Sequence, residues 1–338
     1  MAAGYDNSQV LDGGDNDDES NGITDRLTLR GLEIDIDGNL ANWEVIIFDD
    51  MTVNSVADLP SSSTAAGSGL FLTNGSIFRG GDGFVHDGNL DIDGTSEFSG
   101  FGGGAGVHQV HDLVNNGRIN LQDGAVGDTL TATGDYSGTG ALLLDVDLAS
   151  FNADTLEVTG DVTGGGTTEI TAVEVAAPAS ASARITTFAN QRILLVDVTG
   201  STTPTDFALA NGFLSDGAFD YLLELEGSQW LLVPELNSVG AVAGAAPSVL
   251  INTFTDLPTL EQRTASRRWL WTGATTEEGA ASPEQGVWLR FSGDHMDATP
   301  ESNAGVFDYE SDTWSTQAGM EFRIAEDARG QWLLGVTL

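Results

Sequence analysis

Cysteine and lysine are both absent from the 338 residues. The lack of cysteine excludes a disulfide framework, thiolate-held metals and thiol nucleophiles. The lack of lysine leaves 12 arginines against 51 acidic residues, a net charge of −39. So little positive charge cannot build the basic face that neutralises phosphates, so no nucleic acid partner is expected, and anionic membrane surfaces are disfavoured by the same sign. No run approaches the 18 apolar residues of a membrane-spanning helix, and the start, Met1 to Val10, lacks the basic and apolar stretches of a secretory signal. Glycine, in contrast, numbers 43, beside 40% hydrophobic residues. That is enough apolar surface for a core, punctuated by turns, and it rules out disorder throughout. The length suggests about two domains.

Residues 1–22 are polar and acidic and read as a loop. From Thr24 to about Val175, short runs of alternating or β-branched residues recur, each closed by Gly, Asn or Asp: Leu27-Thr28-Leu29, Leu32 to Ile36, Val45 to Phe48 and Leu70-Phe71-Leu72. These are strands of three to five residues. Two units resemble each other closely, Asp128-Thr129-Leu130 to Gly134 and Asp154-Thr155-Leu156 to Gly160, copies of D-T-L-x-x-T-G set 26 residues apart. Val85 to Gly94 is similarly echoed by Val114 to Gly124. Short strands and glycine turns at a period of roughly 20 to 30 residues describe a parallel β-solenoid, in which each coil covers the apolar face of the last. A β-sandwich is the competing architecture, and the near-identical strands at a fixed interval favour the solenoid.

Past the small-residue segment Ala176 to Ala183, strands become longer and carry larger side chains: Ile193 to Val198, Phe207 to Leu209, Tyr221 to Leu225 and Trp230 to Val233. Their density predicts a cap for the thinner coils. Pro234 to Arg268 is the one stretch that reads as helical, with Pro247 opening a helix and Thr259 to Gln262 forming a capping box. Arg263, Arg267 and Arg268 follow at its C-terminal end, where positive charge offsets the macrodipole or serves a membrane or pore. Beyond Glu284 the alternation becomes strict. Val287, Leu289 and Phe291 oppose Trp288, Arg290 and Ser292; Ala318, Met320 and Phe322 oppose Gln317, Gly319, Glu321 and Arg323; Trp332, Leu334 and Val336 oppose Leu333, Gly335 and Thr337. Three strands of about ten residues, joined by a polar loop from Gly293 to about Glu310 and a turn at Glu326 to Gly330, fit either transmembrane β-barrel strands or a soluble meander.

Several of these stretches together resemble the monomeric autotransporters of Gram-negative bacteria. They are the Phe219 to Leu225 and Gln229 to Val233 strands, Leu257-Pro258-Thr259-Leu260-Glu261-Gln262-Arg263, Gly286 to Gly293, and Gln317-Ala318-Gly319-Met320. The likeness covers about Gly117 to Leu338. It implies an all-β chain: a right-handed parallel β-helix passenger with a C-terminal cap, a short helical linker, and the first strands of an incomplete transmembrane β-barrel. The expected division is 1–116, an irregular solenoid part of the passenger; 117–235, a pertactin-like β-helix end with an autochaperone-like cap; 236–283, the linker; and 284–338, the start of the barrel. Family members begin with a signal peptide and close a barrel of twelve strands, so the chain reads as truncated at both ends. The resemblance further implies a place at the cell outer membrane with the passenger at the surface or outside the cell. The implied partners are the outer membrane itself, the barrel assembly machinery, and a host, surface or polysaccharide ligand whose identity the sequence leaves open.

The chemistry-bearing residues point to no catalytic, cofactor or metal site. His86, His108, His111 and His295 have no cysteine partners, and His108-x-x-His111 lies on a strand rather than a helix, so they read as surface or turn histidines. No G-x-S-x-G elbow occurs. The pairs Asp35/Asp37 and Asp91/Asp93 share a strand face and could serve glycoside cleavage or calcium, yet neither an EF-hand nor an RTX pattern surrounds them, and the RTX-like Gly80-Gly81-Asp82-Gly83 is broken at Phe84-Val85. A solvated acidic face is the simpler reading. A non-enzymatic adhesive or structural passenger is therefore expected. The alternative, a β-helix enzyme acting on polysaccharide, requires acids and arginines gathered in one groove, and upstream of Gly160 the chain has only Arg26, Arg30, Arg79 and Arg118.

Overall fold

The computed structural model describes residues 10–14, 25–31, 33–36, 38, 40–55, 58–60, 63–100, 105–164, 166–175, 191–240, 285–298, 309–327 and 330–337. They fall into two units, Met1–Ser238 and Val239–Leu338.

The first unit is an all-β parallel solenoid. Its first sheet runs, coil by coil, through Arg26–Arg30, Val45–Asp49, Gly69–Thr73, Leu90–Ile92, Leu113–Asn115 and Tyr136–Ser137. The second runs through Glu33–Ile36, Thr52–Ser55, Ile77–Gly80, Glu97–Gly100, Arg118–Asn120, Ala141–Asp147, Thr168–Glu174 and Phe207–Leu209. The third takes Val107–Val110, Thr129–Ala132, Thr155–Val158 and Ile193–Val198. All of these neighbours pair in parallel.

The D-T-L repeat is in register: Thr129 lies beside Thr155, Leu130 beside Leu156 and Ala132 beside Val158. The other echo does not hold. Leu90 stacks on Leu113 in the first sheet, whereas Ile119 stacks on Phe98 in the second. Because every strand of a solenoid alternates inward and outward in the same way, likeness between two strands does not establish that they share a sheet.

Alternation fills the interior. Leu70, Leu72, Phe78, Leu90, Ile92, Phe98, Leu113, Ile119, Leu130, Leu142 and Leu156 are fully buried, while Phe71 and Thr131 between them are half-exposed. Phe78 and Phe98 hold the same position on successive coils of the second sheet, and with Phe48 of the first sheet they lie nearly parallel, each centroid 5.9 Å from the next. Corners must be tight where coils touch. Gly69 and Gly138, at φ 115° and 132°, each pass so close to the neighbouring coil that a Cβ would overlap the carbonyl oxygens of Asn89 and Asn115 respectively.

The solenoid stops where the third sheet changes hand of pairing. Ile193–Val198 is parallel to Thr155–Val158 on one side but antiparallel to Gln229–Leu236 on the other, across an irregularity between Leu194 and Val196. Phe219–Glu226 and Leu214–Asp216 continue the antiparallel edge. This meander covers what would otherwise be an open strand edge, as the sequence anticipates for a cap. Phe219, Tyr221, Trp230 and Leu232 are buried there, and Tyr136, Phe207 and Trp230 form a chain of rings with centroids 5.6 and 5.4 Å apart.

The Gln229–Leu236 strand continues through Pro234, opposite Tyr221, so residues 234–236 are extended rather than helical. Pro234 lies beyond the last pair with Ile193–Val198, where that flank of the strand has no ladder partner among the described residues and no N–H is needed. The helices expected from Pro247 and Thr259 lie outside the described residues.

The second unit contains a three-stranded antiparallel meander, Gln285–Ala298, Tyr309–Asp327 and Gly330–Thr337. The first two strands are longer than expected, so Gly293 to Ala298, assigned from sequence to the loop, belong to the strand.

Candidate functional site

The acids of the solenoid build two ladders along its corners. In the first, the Asp of each D-T-L repeat caps the backbone of the coil before it. Asp128 Oδ1 accepts the Gly106 N–H at 2.6 Å, and Asp154 Oδ1 accepts those of Gly127 and Asp128, both at 3.0 Å. Asp154 Oδ2 also takes the Asp145 N–H at 2.7 Å, and Asp145 Oδ2 those of Asp123 and Gly124. All three carboxyls are buried. The second ladder climbs the outside: Asn89 Oδ1, Asp112 Oδ1, Asp135 Oδ1 and Asp161 Oδ1 each accept the backbone N–H of the next coil, from Asp112, Asp135, Asp161 and Ser201. These aspartates satisfy amides that the parallel ladder leaves unpaired at a corner. The signal was an Asx recurring once per coil, legible only after the coils are aligned.

Burial pushes the Asp154 carboxyl up to about 7, against the three N–H bonds that favour its charged form, and the neighbouring Asp128 adds to the rise. Burial also raises Asp128 and Asp145. A folded-state value above the unfolded one means that the folded chain holds a proton the unfolded chain has lost. Stability should therefore be greatest below about pH 4 on this account and fall as pH rises to about 7, by up to about 4 kcal/mol for Asp154. Asp93 works in the opposite window: burial opposes it, but the N–H groups of Asn74 and Thr95 and the hydroxyls of Ser96 and Thr95 hold it down to about 2. Its contribution is present above about pH 4 and is lost toward pH 2. Relative to Asp154→Asn, the native chain should thus lose urea midpoint as pH rises from 4 to 8, the contributions of Asp128, Asp145, His86 and His108 being common to both. A parallel decline in the variant would remove Asp154 as the cause.

The residues weighed from sequence are placed apart. His86 is buried, not at the surface, because its two ring nitrogens meet the carbonyls of Leu59 and Asn89 at 2.7 and 3.2 Å. His108 is also buried, edge-on to Phe98, and its Nδ1 has no hydrogen-bond partner among the described residues. Burial lowers both histidines, opposed at His86 by the two carbonyls and at His108 by the charge of Asp82. His111 turns the other way, to the Thr133 hydroxyl. Asp35 accepts a bond from Asn54, Asp93 caps its own turn, and Asp37 lies outside the described residues. The arginines are engaged one at a time: Arg30 with Asp49, Arg79 with Asn54 and Arg118 with Glu97. The first pair lies on the first sheet and the other two along the second, so each of these arginines meets a different partner.

The meander of the second unit presents the other distinctive surface. By register Leu289 faces Ala318, Phe291 faces Thr316, Gly293 faces Trp314, Val287 and Val336 flank Met320, and Leu334 lies opposite Phe322. Leu289, Phe291 and Trp314 are 60%, 72% and 83% exposed, and Leu334 and Val336 are exposed beside them. Positions of the other parity include Ser292, Ser315 and Gln317, which are half-buried. An apolar face outward with polar residues half-covered is the inverse of what water favours. No helix among the described residues is long and apolar enough to span a membrane, which says nothing of strands.

The described residues of the first unit thus form a parallel β-solenoid ended by an antiparallel cap, with aspartates along its corners. Residues 113–234, the end of the solenoid with its cap, match the Pertactin family. The chain is similar to the probable autotransporter YfaL of Escherichia coli (strain K12), 31% identical over 180 residues, covering 51% of this chain and 13% of that protein. It is also similar to the adhesin BmaC autotransporter of Brucella suis biovar 1 (strain 1330), 32% identical over 84 residues, covering 24% of this chain and 2% of that one. The chain thus spans a small part of the length of these relatives. Among solved structures, the Haemophilus influenzae Hap adhesin aligns over 62% of this chain and 24% of its own at 16% identity, with a TM-score of 0.29, a likeness too distant to argue from.

Proposed function

We propose that the solenoid is a cell-surface or secreted passenger, adhesive or structural rather than enzymatic, and that 284–338 begins the outer-membrane barrel that carries it. The observation that supports the second half of this reading is the outward apolar face of the meander. On the Tyr309–Asp327 strand the positions of the same parity as the exposed Trp314 extend by register to 322, nine residues, the length of a spanning strand in a bilayer. Trp314 stands at one end, as aromatic residues do at a membrane interface, and beyond it the same face turns to His295, Asp297, Glu310 and Asp312. A soluble meander would place its alternation the other way round. The 236–283 segment, in this reading, links passenger to barrel. A surface location for the passenger goes with this reading, and its sheet faces are where a ligand would make contact.

Arginine placed at Leu289 or Phe291 should cost up to about 2 to 4 kcal/mol near the bilayer midplane, whereas arginine at Ser292, on the other face, should be tolerated. The check is to extend the chain with the strands needed to close a barrel, express it with each substitution, and measure outer-membrane assembly and protease access to the solenoid. Equal tolerance on both faces would make these strands part of a soluble sheet.

A further inference from the structure

We propose that His295, Glu310 and Asp312 form a binding site for a divalent transition-metal ion, with Asp297 as an outer carboxylate. The placement follows from the strand register alone: His295 lies directly opposite Asp312, and Asp297 directly opposite Glu310. Residues two apart on one strand share a face, so the four side chains make a two-by-two array at the polar end of the hairpin. One ligand atom from each of His295, Glu310 and Asp312 lies within 4.8 Å of the others, and all three residues are exposed and open to an ion. His295 Nδ1 already meets Asp312 Oδ1 at 2.8 Å, which orients the ring.

The donor set, rather than the negative charge, identifies the ligand. Carboxylates alone would suit calcium or magnesium, but an imidazole among them selects zinc and its neighbours in the first transition row. Three protein donors leave positions for water. The array is also costly when empty. Asp297 and Glu310 are like charges directly across a strand pair, an arrangement that destabilises a sheet. The two arginines of these strands, Arg290 and Arg323, hold register positions of the opposite parity. The carboxylates on Asp312, Glu310 and Asp297 instead raise the His295 ring, so a proton there does part of what a metal ion would do more fully. Metal binding would displace that proton and tie two strands at the end away from their apolar band.

The site is independent of whether the apolar face meets lipid. Titrating the full 338-residue chain, in non-ionic detergent with a competing chelator, with zinc should show one saturable equivalent at neutral pH. His295→Gln and Glu310→Gln should each weaken that equivalent at least tenfold, consistent with the loss of one ligand of three. His111→Gln, which removes the histidine on the solenoid surface, should leave it unchanged. A millimolar excess of calcium should not displace the zinc, because the imidazole offers nothing to a hard cation. Far-UV circular dichroism of each variant would verify the strands, and none of the replaced residues is buried. Loss of the equivalent on changing His295 and Glu310 but not His111 would support the site. An equivalent that survives His295→Gln, one lost on His111→Gln, or no saturable equivalent at all would overturn it.

Discussion

Replacing Phe78 by alanine should lower the denaturation midpoint of the solenoid by the equivalent of about 3 to 5 kcal/mol. Phe78 is the middle ring of the Phe48, Phe78, Phe98 stack and also meets Phe84, at 4.9 Å between centroids. Its side chain is wholly buried. In an array where each coil touches only its neighbours, the cavity left by this ring damages two interfaces at once, and nothing further along the axis compensates. The matched control is Phe71→Ala. Phe71 occupies an outward position between Ile47 and Asp91 and is only half-buried, so its loss should cost well under half as much. Urea titration followed by far-UV circular dichroism separates the two. Equal costs would mean that the inward stack contributes no more than the outer face.

The second large effect is expected at the cap. Trp230 is 3% exposed, edge-on to Phe207, and donates its indole N–H to the Thr202 hydroxyl at 3.1 Å. Trp230→Ala should cost about 3 to 5 kcal/mol, and Trp230→Phe much less, because it refills most of the volume and gives up one hydrogen bond. The location of the damage is the more telling readout. Amide exchange should accelerate first in Ile193–Val198, the strand whose free edge the cap covers, while Leu70 to Leu72, several coils away, stays protected. Exchange that rises uniformly along the solenoid would show that the cap stabilises the whole array rather than its last coil.

The solenoid was legible in the sequence wherever successive coils repeat the same local chemistry. Asp128 and Asp154, each before a Thr-Leu pair, are the same corner of two coils, and the structure gives them the same task. The Val85 and Val114 units were misaligned for the reason that makes solenoids recognisable: all three sheets use one alternation, and composition does not say which sheet a strand joins. The buried histidines escaped because an imidazole reads as polar, while the carbonyls of Leu59 and Asn89 that accept it lie on other turns, far from it in sequence or hidden in its own corner. Composition makes the acids a solvated face, yet several are hydrogen-bond acceptors whose donors sit one coil away. In the second unit, strict alternation located all three strands, but it could not reveal that His295 and Asp312, seventeen residues apart, face each other, since that depends on where the loop ends.

The coils differ in length, Val45 pairing with Arg26 nineteen residues earlier and Thr155 with Thr129 twenty-six earlier, and the strands before Val107 belong to the first two long sheets without the third. Joining chain ends across 19 or 26 residues differs by only about 0.3 kcal/mol in closure entropy. Each added coil therefore faces nearly the same entropic threshold as the one before it, whatever the total length of the array. Growth of the structure is then a zipper whose steps are uniform, and contact distance along the chain does not increase as the molecule lengthens. A gene encoding such an array can gain or lose a coil, or lengthen one corner, without making the remainder slower to fold.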